Sequence, residues 1–155
     1  MKRILIVDDD EQIRQLLVDY FQRLGYEVTS AANGTEALGK LSQNDIDCII
    51  SDLIMPDMDG LELLKQVRAQ NLKIPFLIIT GYPTIETAIE VIKHGAYDYI
   101  AKPVQLDDVR IKVERALHTK RLERSIKRIT GIAWAIIISI PIWIILGIIF
   151  GKVWR

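Results

Sequence analysis

The chain has 155 residues, 50% of them hydrophobic, and its 20 Lys+Arg exactly offset its 20 Asp+Glu. That length holds one ordinary domain and a tail, and the uneven spread of charge, acids from Asp8 to Glu11 and bases from Lys120 to Arg128, says more than the net charge of zero. A single cysteine, Cys48, rules out an intramolecular disulfide, and two isolated histidines, His94 and His118, lack zinc-ligand spacing.

At the N-terminus the apolar run Ile4 to Val7 is stopped by three aspartates, too short for the core of a signal peptide. Cys48 lies in an apolar run and reads as a small buried hydrophobe. Five short runs, residues 3–7, 27–31, 48–51, 76–80 and 99–101, have the length and the apolar or β-branched character of buried strands. Helical periods alternate with them. Ile13, Leu16, Leu17, Tyr20 and Leu24 set the first, with Gly25 as its stop, and residues 35–41, 61–67, 85–92 and 106–117 carry the other four. This alternation predicts a parallel sheet with helices on both faces.

In such a sheet, ligands bind beyond the carboxyl ends of the strands. The polar residues at those ends are Asp8, Asp9 and Asp10, then Asp52, Thr80 and Lys102. Taken alone, the acids from Asp8 to Glu11 also suit a helix N-terminus, where the dipole favours negative charge. Brought together, Asp8, Asp9 and Asp52 would repel one another unless a cation sat among them. Their hard oxygen donors suit Mg²⁺, which can bridge a carboxylate and a phosphoryl oxygen. In that setting the Lys102 ammonium pairs with a second phosphoryl oxygen and the Thr80 hydroxyl donates to a third.

The helical pattern runs on from Leu106 without Gly or Pro as far as Gly131, passing five basic residues, Lys120, Arg121, Arg124, Lys127 and Arg128. Residues 129–151 then carry no charged side chain. As a helix rising ~1.5 Å per residue this stretch would reach ~34 Å, enough for a hydrocarbon core of ~30 Å. The expected organisation is a domain at 1–118, a basic juxtamembrane stretch at 119–128, a transmembrane helix at 129–151 and a short tail at 152–155. The excess of basic residues before the span places the main domain in the cytoplasm of a single-pass membrane protein. The basic stretch suits anionic lipid headgroups, and in isolation it would equally suit nucleic acid. Gly131, Ala135 and Ser139, with Gly147 and Gly151, offer a small-residue face for a homodimer, although such residues are common in spans for other reasons. Pro141 would kink the span, and Trp154 suits an interface belt better than Trp143 does.

The segments from Ile4 to Asp10 (ILIVDDD), Ser51 to Gly60 (SDLIMPDMDG), Ile79 to Gly81 (ITG) and Ala101 to Pro103 (AKP) resemble the receiver domain of bacterial two-component response regulators. The resemblance covers roughly residues 1–117. Within the family, Thr80 to Thr84 and Glu114 to Leu117 are similar to receivers of enhancer-binding transcription activators. It implies a flavodoxin-like, doubly wound, five-stranded parallel sheet of order 2-1-3-4-5 with five helices.

The resemblance also implies that Asp52 accepts the phosphoryl group from a sensor histidine kinase or a phosphotransfer protein. Asp9 would ligate Mg²⁺ directly and Asp8 largely through water, with the Ile54 backbone carbonyl completing the protein ligands. Lys102, before a Pro103 that the family usually holds cis, would bind the phosphoryl group. Thr80 and Tyr99 would form the switch pair, although a core aromatic is the plainer reading of Tyr99. Ile54 and Tyr82, two residues past Asp52 and Thr80, are bulky and suggest slow self-dephosphorylation.

Enhancer-binding activators continue into an ATPase module and a DNA reader. The sequence holds no GxxxxGK[ST] phosphate loop, so ATP hydrolysis is not expected, and with no room for a separate DNA reader neither is a nucleic-acid partner. The expectation is a membrane-anchored receiver, not an enzyme beyond its own phosphorylation and dephosphorylation. A phosphorylation-independent scaffold and a phosphate sink for a kinase stand beside it.

Overall fold

The structure, a computed structural model, describes residues 1–70 and 72–119. Residues Met1–Leu117 form one compact unit, and most of a second unit, from His118 onward, lies outside the described residues. So do the expected transmembrane helix, nearly all of the basic stretch and the small-residue dimer face. Among the described residues no helix is long and apolar enough to cross a membrane.

Strands β1 (Arg3–Val7), β2 (Glu27–Ala31), β3 (Cys48–Asp52), β4 (Phe76–Thr80) and β5 (Asp98–Ala101) alternate with helices α1 (Glu11–Arg23), α2 (Gly34–Gln43), α3 (Gly60–Ala69) and α4 (Ile85–Lys93). Residues 106–119 form a fifth helix, α5. The sheet is parallel throughout, with order β2-β1-β3-β4-β5. The fold is the flavodoxin-like arrangement.

Because side chains on a strand alternate faces, the apolar runs supply two cores at once. Leu5, Val7, Ile49, Phe76 and Ile78 face Ala37, Leu41, Leu63, Leu64 and Val91 on α2, α3 and α4. Ile4, Ile6, Ile50, Leu77 and Ile79 face Leu17 and Phe21 of α1, and Val109, Val113 and Ala116 of α5. Cys48 lies fully buried in this second core, as its apolar context suggests. Each fully buried side chain of this size removes enough apolar surface from water to favour the fold by ~1.5–3 kcal/mol.

The helix ends follow local chemistry. Asp10 caps α1, its carboxylate accepting from the N–H groups of Gln12 and Ile13. Asn33, Asp59 and Thr84 cap α2, α3 and α4 in the same way. Gly25 stops α1 with φ +85°, a left-handed conformation that costs glycine little.

The first helix turns most of the expected face inward, with Leu17 in the core and Ile13 and Tyr20 packed against it, but not all of it. Leu17 and Phe21 are its buried residues, whereas Leu16 is 52% exposed and Leu24 is also exposed. Leu17 and Phe21 are spaced i, i+4 and share a face, whereas Leu16 is one residue, about 100°, off that line. In α4 only Val91 is buried, while Ile85, Ile89 and Ile92 remain exposed. Two strands also differ slightly from expectation, β3 running on through Asp52 and β5 starting at Asp98.

Candidate functional site

Strand register brings the polar residues together. Val7 pairs with Ser51 across β1 and β3, so the next residues, Asp8 and Asp52, emerge side by side at the carboxyl edge. Thr80 pairs with Ala101 across β4 and β5, and Lys102 follows one step later. Asp8, Asp52 and Thr80 are all buried, as is Ser51, among largely apolar strand residues.

Carboxylate oxygens of Asp8, Asp9 and Asp52 lie within 4.8 Å of one another, with Asp9 exposed and the other two buried. Into this cluster reaches Lys102, whose Nζ is 2.5 Å from Asp52 Oδ2 and 3.2 Å from Asp8 Oδ2. Burial pushes the Asp8 carboxyl above its ordinary value. Lys102 pulls it down, while Asp52 adds to the rise. For Lys102 burial works against the ammonium, but the hydrogen bond to Asp52 and the charges of Asp8 and Asp52 outweigh it and raise its pKa. Lys102 is thus held charged between two acids. All three carboxylates offer hard oxygen donors on one open-sided cluster, a donor set that fits Mg²⁺.

The backbone around the acids is tied in place. Arg14 donates to the carbonyl oxygens of Asp8, at 2.6 Å, and Asp9, at 3.4 Å. The Asp10 N–H donates to Asp8 Oδ1 at 2.9 Å, and the Ile54 N–H donates to Asp52 Oδ1 at 3.3 Å. Ile54 itself is exposed. A Cβ built on Gly60 would stand 2.1 Å from the Asp52 carbonyl oxygen, so only glycine fits where α3 begins. Asp57, in the intervening loop, has φ +67°.

Thr80 and Tyr99 occupy the neighbouring strands but point their hydroxyls to different partners. Thr80 Oγ1 accepts from the Tyr82 N–H at 3.2 Å, while the Tyr99 hydroxyl lies 2.9 Å from Thr87 Oγ1 on α4. The plainer reading of Tyr99 is partly met, since its half-buried ring packs against the α2–α4 core. The peptide bond between Lys102 and Pro103 is cis.

Asp8, Asp9, Asp52 and Lys102, singled out in the sequence, meet at one place. The helix-cap reading of the acidic run is also realised, in Asp10, one residue beyond the cluster. Sequence reasoning missed Gly60, although the quoted segment contains it, as well as Arg14 and Thr87.

Comparison with known proteins agrees with this geometry. The sequence profile described as "Response regulator receiver domain" matches residues 4–114. Regulatory protein AtoC of Escherichia coli (strain K12) is 36% identical over 129 residues, covering 83% of this chain and 28% of AtoC. Transcriptional regulatory protein ZraR of Klebsiella oxytoca is 39% identical over 122 residues, covering 79% of this chain and 28% of ZraR. Among solved structures, a CheY-like receiver domain protein from Methanospirillum hungatei JF-1 superposes with a TM-score of 0.76 at 34% identity, over 79% of this chain and 98% of that one. The chain belongs to the response regulator receiver domain family, in which phosphorylation of an aspartate is general. It spans less than a third of the length of these two curated relatives.

Proposed function

We propose that the chain is a membrane-anchored receiver that takes a phosphoryl group onto Asp52 in a Mg²⁺-dependent reaction and signals through protein contacts. The observation that carries this reading is the meeting of Asp8, Asp9, Asp52 and Lys102 at the carboxyl edge of the sheet. An Asp52 carboxylate oxygen attacks the phosphorus of a phosphohistidine on a sensor histidine kinase or phosphotransfer protein. The new P–O bond forms as the P–N bond breaks, and the imidazole stays on the donor. Asp9, Asp52 and the Ile54 carbonyl would hold Mg²⁺, with Asp8 reaching it largely through water, and the ion would supply charge neutralisation for the transferring group.

Lys102 leaves the Asp52 oxygen that it now contacts and pairs with a phosphoryl oxygen. Thr80 gives up the Tyr82 N–H and donates its hydroxyl to another, while Tyr99 turns with it. The chain turns over nothing beyond its phosphodonor.

The uncharged stretch 129–151 supports anchoring in the inner membrane, with the receiver in the cytoplasm and the basic residues before the span against lipid headgroups. The small residues of that stretch support a homodimer. A link to nucleic acid is the second reading, supported by relatives such as ZraR that carry the name of transcriptional regulators.

Incubating the chain with labelled acetyl phosphate tests the site. Label that requires both Mg²⁺ and Asp52 supports it, and label unchanged in Asp52→Asn overturns it. Alkaline carbonate extraction of cell membranes tests the anchor: retention in the pellet supports it, and release of the chain overturns it. Capture of partners distinguishes the remaining outcomes. Partners bound equally by wild type and Asp52→Ala would make the chain a scaffold, and phosphorylation with no partner would make it a sink. Retention of DNA by the chain would favour the second reading.

A further inference from the structure

The first turn of α4 is fastened by a hydroxyl that does two jobs. Thr84 and Thr87 form a reciprocal cap, with Thr84 Oγ1 accepting from the Thr87 N–H at 3.1 Å and Thr87 Oγ1 accepting from the Thr84 N–H at 3.3 Å. The same Thr87 oxygen lies 2.9 Å from the Tyr99 hydroxyl, and either oxygen can be the donor. The cap of α4 is therefore bonded to a side chain of β5, twelve residues further along the chain.

At the other end of the loop, the Tyr82 N–H is held by Thr80 Oγ1 at 3.2 Å. Thr80 ends β4, and β4 pairs with β5. The segment from Gly81 through the first turn of α4 is thus tied to the sheet by one hydroxyl from each strand, Thr80 on β4 and Tyr99 on β5. If the Thr80 hydroxyl turns to a phosphoryl group on Asp52, the first tie is lost. The second, between Thr87 and Tyr99, then opposes the turn of Tyr99 that accompanies the Thr80 hydroxyl.

We propose that Thr87 is a positioning residue for the Asp52 site: its hydrogen bond to Tyr99 holds the resting arrangement of α4 and opposes the arrangement that a phosphoryl group on Asp52 favours. This rests on the reading of Asp52 as the phosphoryl acceptor and of Tyr99 as turning with Thr80. Coupling between two sites is reciprocal. If a phosphoryl group works against the Thr87–Tyr99 bond, then removing that bond tightens the binding of a phosphoryl analogue. One net hydrogen bond sets the scale, about fivefold in affinity.

The test is calorimetric titration of the full chain, in detergent micelles with Mg²⁺, with beryllium fluoride as the phosphoryl stand-in. Thr87→Val should bind it about fivefold more tightly than wild type, and Thr87→Ser, which keeps the hydroxyl, should match wild type. Tyr99→Phe removes the same bond but leaves the α4 cap intact. In that background Thr87→Val should therefore add nothing.

Equal or weaker binding by Thr87→Val overturns the proposal. So does a Thr87→Val effect that persists undiminished beside Tyr99→Phe, because it would belong to the cap alone. Wild-type binding no tighter than that of Asp52→Ala would overturn the acceptor reading itself and this inference with it, and that comparison separates the two failures.

Discussion

The Lys102 ammonium stands 2.5 Å from Asp52 Oδ2, held there between two buried acids. It occupies the position of a counter-ion, neutralising carboxylates that strand register forces together. Lys102→Ala would leave Asp8 and Asp52 facing each other without it. The account predicts a loss of about 1–3 kcal/mol in metal-free stability, measured by urea unfolding in chelator, with much of the loss restored by Mg²⁺. Unchanged stability in chelator would contradict it.

Asp8 carries the opposite sign. Burial and Asp52 raise its pKa in the folded state. A carboxyl whose folded value is raised contributes stability below its ordinary value and loses that contribution as pH rises through the raised one. Metal-free Asp8→Asn should therefore match wild type in acid and become the more stable protein as pH rises toward neutrality. Urea midpoints across a pH series measure this. A variant less stable than wild type at neutral pH would refute it.

If the folded acid cluster holds Mg²⁺ as proposed and the unfolded chain does not, the ion should raise the melting temperature of wild type in a concentration-dependent way. The shift should disappear in the Asp8→Asn, Asp9→Asn double variant. A shift that survives in that variant would place the ion elsewhere.

Gly60 has no room for a side chain against the Asp52 carbonyl. Gly60→Ala should cost about 2–3 kcal/mol, the scale of overpacking, and should slow phosphorylation of Asp52 by displacing its backbone. Thermal melts and label uptake read the two effects. Normal values for both would show that the loop yields freely.

Ile54 and Tyr82 are both exposed and bulky, and Ile54 has no group to orient an attacking water. The phosphorylated form should persist for minutes or longer, and Ile54→Asn should shorten that lifetime. Loss of label from isolated wild type within seconds would contradict this.

How far the sequence could be read follows from which forces are local. Strands such as residues 4–7 and 76–79 announce themselves because burial on both faces demands an unbroken apolar run. The acids and Lys102 were legible for the same reason, as polar residues that end such runs. Facing on the helices was harder to read. In α1, Leu16 is as apolar as Leu17, and only packing decides that Leu17 turns inward. In α4 the exposed Ile85, Ile89 and Ile92 gave the pattern of a buried face that the structure does not bury. Gly60 and Thr87 left no signal because their roles depend on what another segment brings near them, the Asp52 carbonyl in one case and the Tyr99 hydroxyl in the other.

The central claim, that Asp52 is the residue that takes the phosphoryl group, has one direct measurement. After incubation of the chain with phosphodonor and Mg²⁺, borohydride reduction converts an aspartyl phosphate to homoserine, which peptide mass spectrometry then locates. The account predicts homoserine at position 52, absent when Mg²⁺ is withheld. Homoserine at another aspartate, or at none while phosphate is taken up, would contradict it.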